Sequence, residues 1–140
     1  MRRRPVLFGM LLAIACATAH AQSPKSQWDG VFTDAQASRG EALYVDNCVM
    51  CHGKSLTGTV LAPSVAGPEF LAKWNRRPLS LVFNIIQTSM PWNLSGHLSP
   101  QQNADVLAYM LQKSDSPAGP TELPARAAAL STMTILEKKP

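Results

Sequence analysis

Hydrophobic and small residues recur at helical spacing in four stretches of this sequence. The first stretch covers residues 34–48. Four residues fall on one side of it: Ala37, Gly40, Tyr44 and Cys48. Thr33, followed by Gln36 three residues later, is a capping-box signature that marks the start of this helix. A glycine inside a helix costs about 1 kcal/mol relative to alanine. Gly40 is therefore either merely tolerated or present because another element packs closely against it.

Three further helices are predicted downstream. Pro68 opens a short helix that ends near Trp74. Residues 78–88 form a helix that is apolar on nearly all sides, which is typical of buried helices. Ser99 is the N-cap of the last helix, which is followed by a proline and a capping-box glutamine and runs to about residue 113. Because every predicted element is a helix, the expected fold class is all-α, with three to five helices.

The N-terminal residues have the pattern of a secretory signal peptide. Arg2, Arg3 and Arg4 precede an apolar run over residues 6–17, and Ala19-His20-Ala21 is an A-x-A cleavage site. We therefore expect residues 1–21 to be removed on export, which makes the mature protein periplasmic. A membrane anchor is one alternative, but the run is shorter than the about 20 apolar residues that a span needs. Acylation of Cys16, which would make a lipoprotein, is another.

The rest of the chain divides into three predicted parts. Residues 22–32 are polar and small and are expected to be a flexible leader. Residues 33–113 contain the predicted helices and form one small domain. Residues 114–140 are rich in proline and then in alanine. They form either an extended strap with a short helix that packs on the domain, or a disordered tail.

The pentapeptide Cys48-Val49-Met50-Cys51-His52, the attachment motif, is the strongest chemical signal in the sequence. It is the C-x-x-C-H pattern of covalent haem attachment. Its two cysteines can form thioethers with the haem vinyl groups, and its histidine can bind the iron. A metal-bound histidine usually donates its other ring nitrogen to an acceptor. We expect a backbone carbonyl near Pro63 to accept this hydrogen bond.

Other interpretations of the attachment motif are weaker. A thioredoxin-type redox disulfide needs a surrounding βαβ pattern, which is not visible here. A zinc site needs four well-placed ligands, and after signal cleavage the cysteines and histidines available are Cys48, Cys51, His52 and His97. The adjacent Cys51 and His52 could not easily bind one tetrahedral ion together. A structural disulfide across two residues would be strained. Cleavage also removes Cys16, so the mature chain has no other cysteine for a disulfide framework.

A second iron ligand is expected in the loop after the third helix. Met90 precedes Pro91, which favours an extended conformation at Met90. Such a conformation suits a side chain that projects from a loop towards a metal. Met90 is therefore the predicted second axial ligand, and His97 is the rival, since two histidines can also bracket a haem iron.

The net charge excludes one class of partner. The whole sequence has 13 lysines and arginines and nine acidic residues. Three of the basic residues lie in the predicted signal peptide, which leaves ten against nine. A nearly neutral mature protein does not have the basic face that binds nucleic acid. The small net charge also argues against docking that is steered by long-range electrostatic attraction.

These residues together resemble the class I c-type cytochromes, over residues 38–113. The resemblance rests on Gly40, Tyr44, the attachment motif, Met90-Pro91 and Tyr109. It implies that the first and last helices of a small cytochrome c fold cross at Gly40, where Tyr44 meets Tyr109.

More narrowly, the sequence is similar to single-haem periplasmic cytochromes found with bacterial quinoprotein dehydrogenases. The similar stretches are Ala62-Pro63, Ala66-Gly67-Pro68, Leu98-Ser99 and Glu122-Leu123-Pro124. Trp92-Asn93-Leu94 departs from the small residues and prolines that this resemblance leads us to expect after Met90-Pro91.

The predicted function is electron transfer by one covalently bound haem c. The protein is expected to act as a carrier rather than an enzyme, between a dehydrogenase, which the resemblance suggests is a quinoprotein, and a downstream acceptor. A ligand sensor or peroxidase-like enzyme is an alternative that needs an open iron, with His97 as its polar group. A cytochrome subunit bound tightly within a dehydrogenase complex, with residues 114–140 as its docking strap, is another.

Overall fold

A computed structural model of the protein describes residues 25–140. The signal-peptide and lipoprotein predictions fall on residues 1–21 and lie outside the described residues. Within residues 25–140, no helix is both long enough and apolar enough to cross a membrane.

The described part of the chain is mostly helical, which confirms the all-α class. Its α-helices are α1 Asp34–Asn47, α2 Val49–His52, α3 Gly67–Trp74, α4 Leu79–Ser89, α5 Pro100–Gln112 and α6 Ala127–Leu130. Two short strands, β1 Lys25–Ser26 and β2 Met133–Thr134, pair in parallel, and a 3-10 helix covers Gln27–Asp29. The six α-helices exceed the expected three to five because α2 and α6 are single turns of four residues. The four longer helices begin and end within one residue of the predicted positions.

Helices α1 and α5 cross in close contact at Gly40. A Cβ atom built on Gly40 would lie 1.9 Å from the carbonyl oxygen of Asp105. One turn further along α1, the rings of Tyr44 and Tyr109 lie 5.5 Å apart between centroids, with their planes tilted by 53°. Such a tilted pair adds to the favourable packing of the two helices. Gly40 is therefore required by close packing, as the resemblance implied.

Residues 25–32, which precede α1, are folded, and this corrects the prediction of a flexible leader for that part of the chain. Residues 25–29 form β1 and the 3-10 helix, and the side chains of Val31 and Phe32 are buried in the core. Gln27 is fully buried, and its amide accepts a hydrogen bond from the Leu136 backbone N–H and donates one to the Leu136 carbonyl. Composition predicted flexibility because polar residues dominate this segment, but the buried Gln27 finds its hydrogen-bond partner 109 residues away.

Residues 114–140 form an ordered strap across the domain, which we call the C-terminal strap. Its apolar side chains Leu123, Leu130 and Ile135 are buried. Gln36 is also fully buried, and its amide accepts a hydrogen bond from Leu123 N–H at 2.6 Å and donates one to the Leu123 carbonyl at 3.0 Å. Thr33 caps α1 as predicted, but the Gln36 side chain binds the strap instead of completing the capping box.

Replacing Gln36 by leucine is expected to detach this part of the C-terminal strap. Leucine has a similar volume but leaves the Leu123 N–H and carbonyl without partners in a buried site. An unsatisfied buried polar group costs about 1–3 kcal/mol. We expect the free energy of unfolding to fall by about 2–4 kcal/mol, measured by urea denaturation of the holoprotein.

Gln112→Leu is the matched control for this substitution. The Gln112 amide donates to Asp34 at the surface, so its loss should cost less than about 0.5 kcal/mol. Equal losses in the two variants would show that the Gln36–Leu123 contacts do not hold the strap.

Candidate haem site

The attachment motif follows α1 directly and folds as one helical turn. Cys48 lies between α1 and α2, and its N–H donates to the carbonyl of Tyr44. The N–H groups of Cys51 and His52 both donate to the Cys48 carbonyl. Because side chains three residues apart lie on the same helical face, this turn presents both cysteines to one side. Both are half-buried, free thiols.

His52 has one ring nitrogen held by the protein. Its Nδ1 lies 2.8 Å from the carbonyl oxygen of Pro63, which is the acceptor expected from the sequence. A histidine that donates through Nδ1 presents Nε2 to a metal, and the hydrogen bond fixes the orientation of the ring. Nε2 has no hydrogen-bond partner among residues 25–140. The side chain is thus oriented as an iron ligand requires.

Gly58 positions the Pro63 carbonyl, a role that was not predicted from the sequence. It has a φ of +86°, and a Cβ built on it would lie 2.7–2.8 Å from backbone atoms of Ala62, Pro63 and Ser64. Only a residue without a side chain permits this approach. The Thr59 N–H closes the turn by donating to the Ala62 carbonyl at 2.8 Å. A glycine followed closely by Ala-Pro is the only sequence signal of this turn.

Two side chains tie the attachment motif to its surroundings. The Tyr44 hydroxyl donates to the Gly53 carbonyl at 2.8 Å, and the Thr59 hydroxyl donates to the carbonyl of Cys51. Burial raises the pKa of Tyr44 well above its ordinary value, so its hydroxyl stays protonated and remains a donor. The α1–α5 crossing, where Tyr44 packs, is therefore coupled to the backbone after His52.

The setting of Cys48 disfavours the redox-disulfide interpretation. Burial raises the pKa of the Cys48 thiol to about 11, with a smaller contribution from the neighbouring Cys51. Redox-active cysteines need the opposite shift, since the thiolate is the nucleophile. The zinc interpretation is also disfavoured, because residues 25–140 contain no group of three or more His, Cys, Asp or Glu side chains that could hold a metal ion.

The helix α4 is only partly buried, which corrects the prediction of a buried helix. Four of its apolar side chains, Leu79, Val82, Phe83 and Ile86, lie in the core. Leu81 and Ile85, one turn apart, are exposed on another side. One side of α4 therefore packs on the core, and the side that carries Leu81 and Ile85 is accessible to an apolar group.

Met90 ends α4 and starts an exposed loop. Its backbone is extended, with φ −123° and ψ 148°, as the following proline predicts. Its side chain is half-buried. The loop beyond it exposes Trp92 and Leu94 and leads through His97 to α5.

His97, the rival ligand, lies at the surface with both ring nitrogens close to protein oxygens. Nδ1 lies 2.9 Å from the Leu94 carbonyl, and Nε2 lies 3.0 Å from Oδ1 of Asn47. Binding of iron by either nitrogen would break one of these contacts. His52 therefore has one ring nitrogen without a hydrogen-bond partner among the described residues, whereas both ring nitrogens of His97 contact protein oxygens.

The residues of this site fit a covalently bound haem. Two free cysteines lie on one face of a helical turn, and the adjacent histidine is fixed through Nδ1 with Nε2 available. Cys48 and Cys51 would hold the porphyrin, and His52 would bind its iron. Leu81 and Ile85 supply exposed apolar surface on the helix that leads to Met90.

Comparison with known proteins identifies similar chains. Cytochrome c-551 of Bacillus subtilis is 34% identical over 87 residues, which cover 60% of this chain and 71% of that protein. Thiosulfate dehydrogenase of Thiomonas intermedia is 30% identical over 89 residues, but this match covers only 28% of that protein. The crystal structure of the sulfane dehydrogenase SoxCD from Paracoccus pantotrophus aligns with a TM-score of 0.49 at 25% identity, covering 63% of this chain and 52% of that one.

A protein-family model also matches the chain. The family is described as cytochrome c oxidase, cbb3-type, subunit III, and the match covers residues 35–110, which is more than half of the chain. These residues include all of α1 except its first residue, the helices α2 to α4, the attachment motif, Met90 and most of α5. The chain therefore belongs to this family of c-type cytochromes, and it contains a cytochrome c electron-transfer domain that carries covalently bound haem c.

Proposed function

We propose that this protein is an exported single-haem electron carrier, in which Cys48 and Cys51 form the thioethers and His52 and Met90 are the axial ligands. The observation that carries the proposal is the 2.8 Å contact between His52 Nδ1 and the Pro63 carbonyl, which holds the ring in an orientation suited to metal binding through Nε2. When bound, haem c supplies an iron that gains and loses one electron. The chain's own residues hold it, keep water away and set its potential.

Met90 gives the site a soft sulfur ligand. A thioether favours ferrous iron and raises the reduction potential compared with a second histidine. The apolar side chains of Leu81 and Ile85 act in the same direction, because a poorly solvated site favours the less charged reduced state. With both axial positions filled by protein, no open position is left for a substrate.

A ligand-sensor function is less well supported than electron transfer. It needs a polar group free to interact with a ligand on the iron, and His97 was the candidate. In the structure the His97 ring contacts Asn47 and Leu94 instead. Fast, tight binding of carbon monoxide by the reduced protein at neutral pH would contradict the electron-carrier proposal.

The proposed redox partner docks on an apolar surface near the haem. Met50, Trp92 and Leu94 are large apolar side chains that are 86%, 79% and 57% exposed. Short-lived redox encounters bury less than about 1,200 Å² and dissociate quickly. A nearly neutral protein with exposed apolar residues suits such a contact better than charge steering does.

We propose a dehydrogenase as the electron donor. The similarity to a segment of a thiosulfate dehydrogenase supports this class of partner. A quinoprotein, which the resemblance in the sequence implied, stays a prediction. Because that relative is a longer protein, a subunit held permanently in a dehydrogenase complex is the second candidate, and co-purification of a partner through high salt would favour it.

The assignment of Met90 is tested by Met90→Ala. We expect oxidised wild-type protein to show the weak sulfur-to-iron charge-transfer band and the variant to lose it. Loss of the thioether should also lower the reduction potential by on the order of 0.1 V, within the about 0.8 V over which axial ligands set haem potentials. Optical spectra and a redox titration measure the two effects.

Met50→Ala is the control for this experiment. Met50 is exposed and lies between the two cysteines, so its replacement should leave the charge-transfer band unchanged. A Met90→Ala protein that keeps the band, or a wild-type protein that lacks it, would remove Met90 from the iron.

A further inference from the structure

The loop that carries Met90, residues 90–98, makes one side-chain hydrogen bond to α1 within the described part of the chain. His97 Nε2 lies 3.0 Å from Oδ1 of Asn47, which is 50 residues earlier in the chain and is the last residue of α1. Asn47 directly precedes Cys48. This His97–Asn47 contact therefore joins the loop of the proposed methionine ligand to the residue before the first attachment cysteine.

The direction of this hydrogen bond follows from the other bond of Asn47. The Asn47 Nδ2 group donates to the Leu43 carbonyl at 2.8 Å, one turn back in α1. That bond fixes the amide, so Oδ1 is the atom that faces His97 and acts as the acceptor. In this contact His97 Nε2 must therefore be the donor and carry a proton, and a protonated ring nitrogen has no free lone pair for a metal.

The remaining hydrogen bonds of residues 91–97 stay inside the loop. Leu94 N–H donates to the Pro91 carbonyl at 2.9 Å, and His97 N–H donates to the Leu94 carbonyl at 3.2 Å. The Ser95 hydroxyl makes only long contacts of 3.4 Å to carbonyls of the same loop. Within the described residues, the His97 side chain is thus the only hydrogen-bonding link between this stretch and α1.

From this arrangement we infer that His97 is a positioning residue, whose hydrogen bond to Asn47 holds residues 90–98 closed and so keeps Met90 in place as an axial ligand. The inference rests on the proposed function. It gives the rival ligand a different role, in which His97 acts through the loop and not on the iron.

The size of the effect follows from the exposure of the contact. A hydrogen bond of this kind stabilises a closed conformation by a net factor of about 2 to 10, and a solvent-exposed bond lies at the low end. Its loss should increase the population of open loop by that factor. Met90 would still bind iron in most molecules, but it would be displaced more readily.

The experiment is a double-mutant cycle on the holoprotein, with wild type, His97→Ala, Asn47→Ala and the double variant. The measured quantity is the limiting rate at which cyanide displaces the methionine of the oxidised protein, followed as loss of the sulfur-to-iron band. Each single variant should raise this rate about two- to fivefold. The double variant should be no faster than either single variant, because each removes the same contact.

Two further variants separate the contact from general effects on the loop. Asn47→Asp keeps an oxygen acceptor for His97 but loses the donation to Leu43, so its rate should lie closer to that of wild type than the rate of Asn47→Ala does. Ser95→Ala changes the same loop without touching α1 and should leave the rate unchanged. If His97→Ala holds too little haem to study, the Asn47 variants alone decide whether the acceptor oxygen controls the rate.

The possible outcomes distinguish the inference from the proposed function. If wild type shows the band but the rates of the single variants multiply in the double variant, or do not change, the positioning role is wrong while Met90 stays the ligand. If wild type lacks the band and His97→Ala alters the iron spectrum, His97 is itself the ligand and both proposals fail.

Discussion

Replacing Cys48 and Cys51 together by alanine is expected to abolish covalent haem attachment. Both thiols lie on one face of a single helical turn, and the described residues contain no other cysteine. Neither thioether can then form, so any remaining haem is held only by axial ligands and packing. We expect complete loss of haem staining on denaturing gels and full extraction of haem by acidified organic solvent.

The single cysteine variants are the controls for this prediction. Cys48→Ala and Cys51→Ala should each retain one thioether and therefore keep haem on a denaturing gel, with a shifted absorption maximum from the unreacted vinyl group. Covalent haem in the double variant would contradict the assignment of the attachment motif. The double variant should also lose thermal stability, because a small domain without disulfides depends on such a cross-link.

Substitution of Gly40 by alanine is expected to have the largest effect on folding. The new Cβ would lie 1.9 Å from the Asp105 carbonyl oxygen and 2.5 Å from its carbon, both of them backbone atoms. No side-chain rotation relieves this overlap, so α1 and α5 must move apart. Overpacking in a core costs about 1–3 kcal/mol and sometimes more, and a backbone overlap belongs at the upper end.

The measurement for Gly40→Ala is the free energy of unfolding of the holoprotein by denaturant, with Ser38→Ala in the same helix as control. Ser38 is exposed, so its change should stay within about 0.5 kcal/mol. Alanine is the better helix former by about 1 kcal/mol. A Gly40→Ala protein that is more stable than wild type would therefore show that helix propensity, and not the crossing, decides this position.

Tyr44 connects the helix crossing at Gly40 with the proposed haem site. The ring of Tyr44 packs on Tyr109 of α5, and its hydroxyl holds the Gly53 carbonyl just after the attachment motif. A displacement of α1 from α5 would therefore disturb both contacts of Tyr44, the packing on Tyr109 and the hydrogen bond to Gly53. We expect Gly40→Ala to bind less haem during maturation as well as to unfold more easily.

The sequence by itself determined the local features of this protein. The helices were predictable because their caps and periodic residues lie within a few positions of each other, as Ser99 and its capping-box glutamine illustrate. The attachment motif was predictable because covalent haem chemistry needs its residues at fixed spacing. The extended backbone at Met90 followed from the proline after it.

Only the tertiary structure decided which distant residues meet. Gln27 and Gln36 are polar, and composition placed the first of them in a flexible leader, yet both are buried because each binds the backbone of the C-terminal strap. Tertiary contacts also distinguish the roles of the two histidines, His52 and His97. His52 is oriented by a carbonyl whose position depends on the backbone contact at Gly58, and His97 contacts Asn47 across 50 residues. Partners so far apart in the chain leave no local pattern, since their contact exists only once the chain has folded.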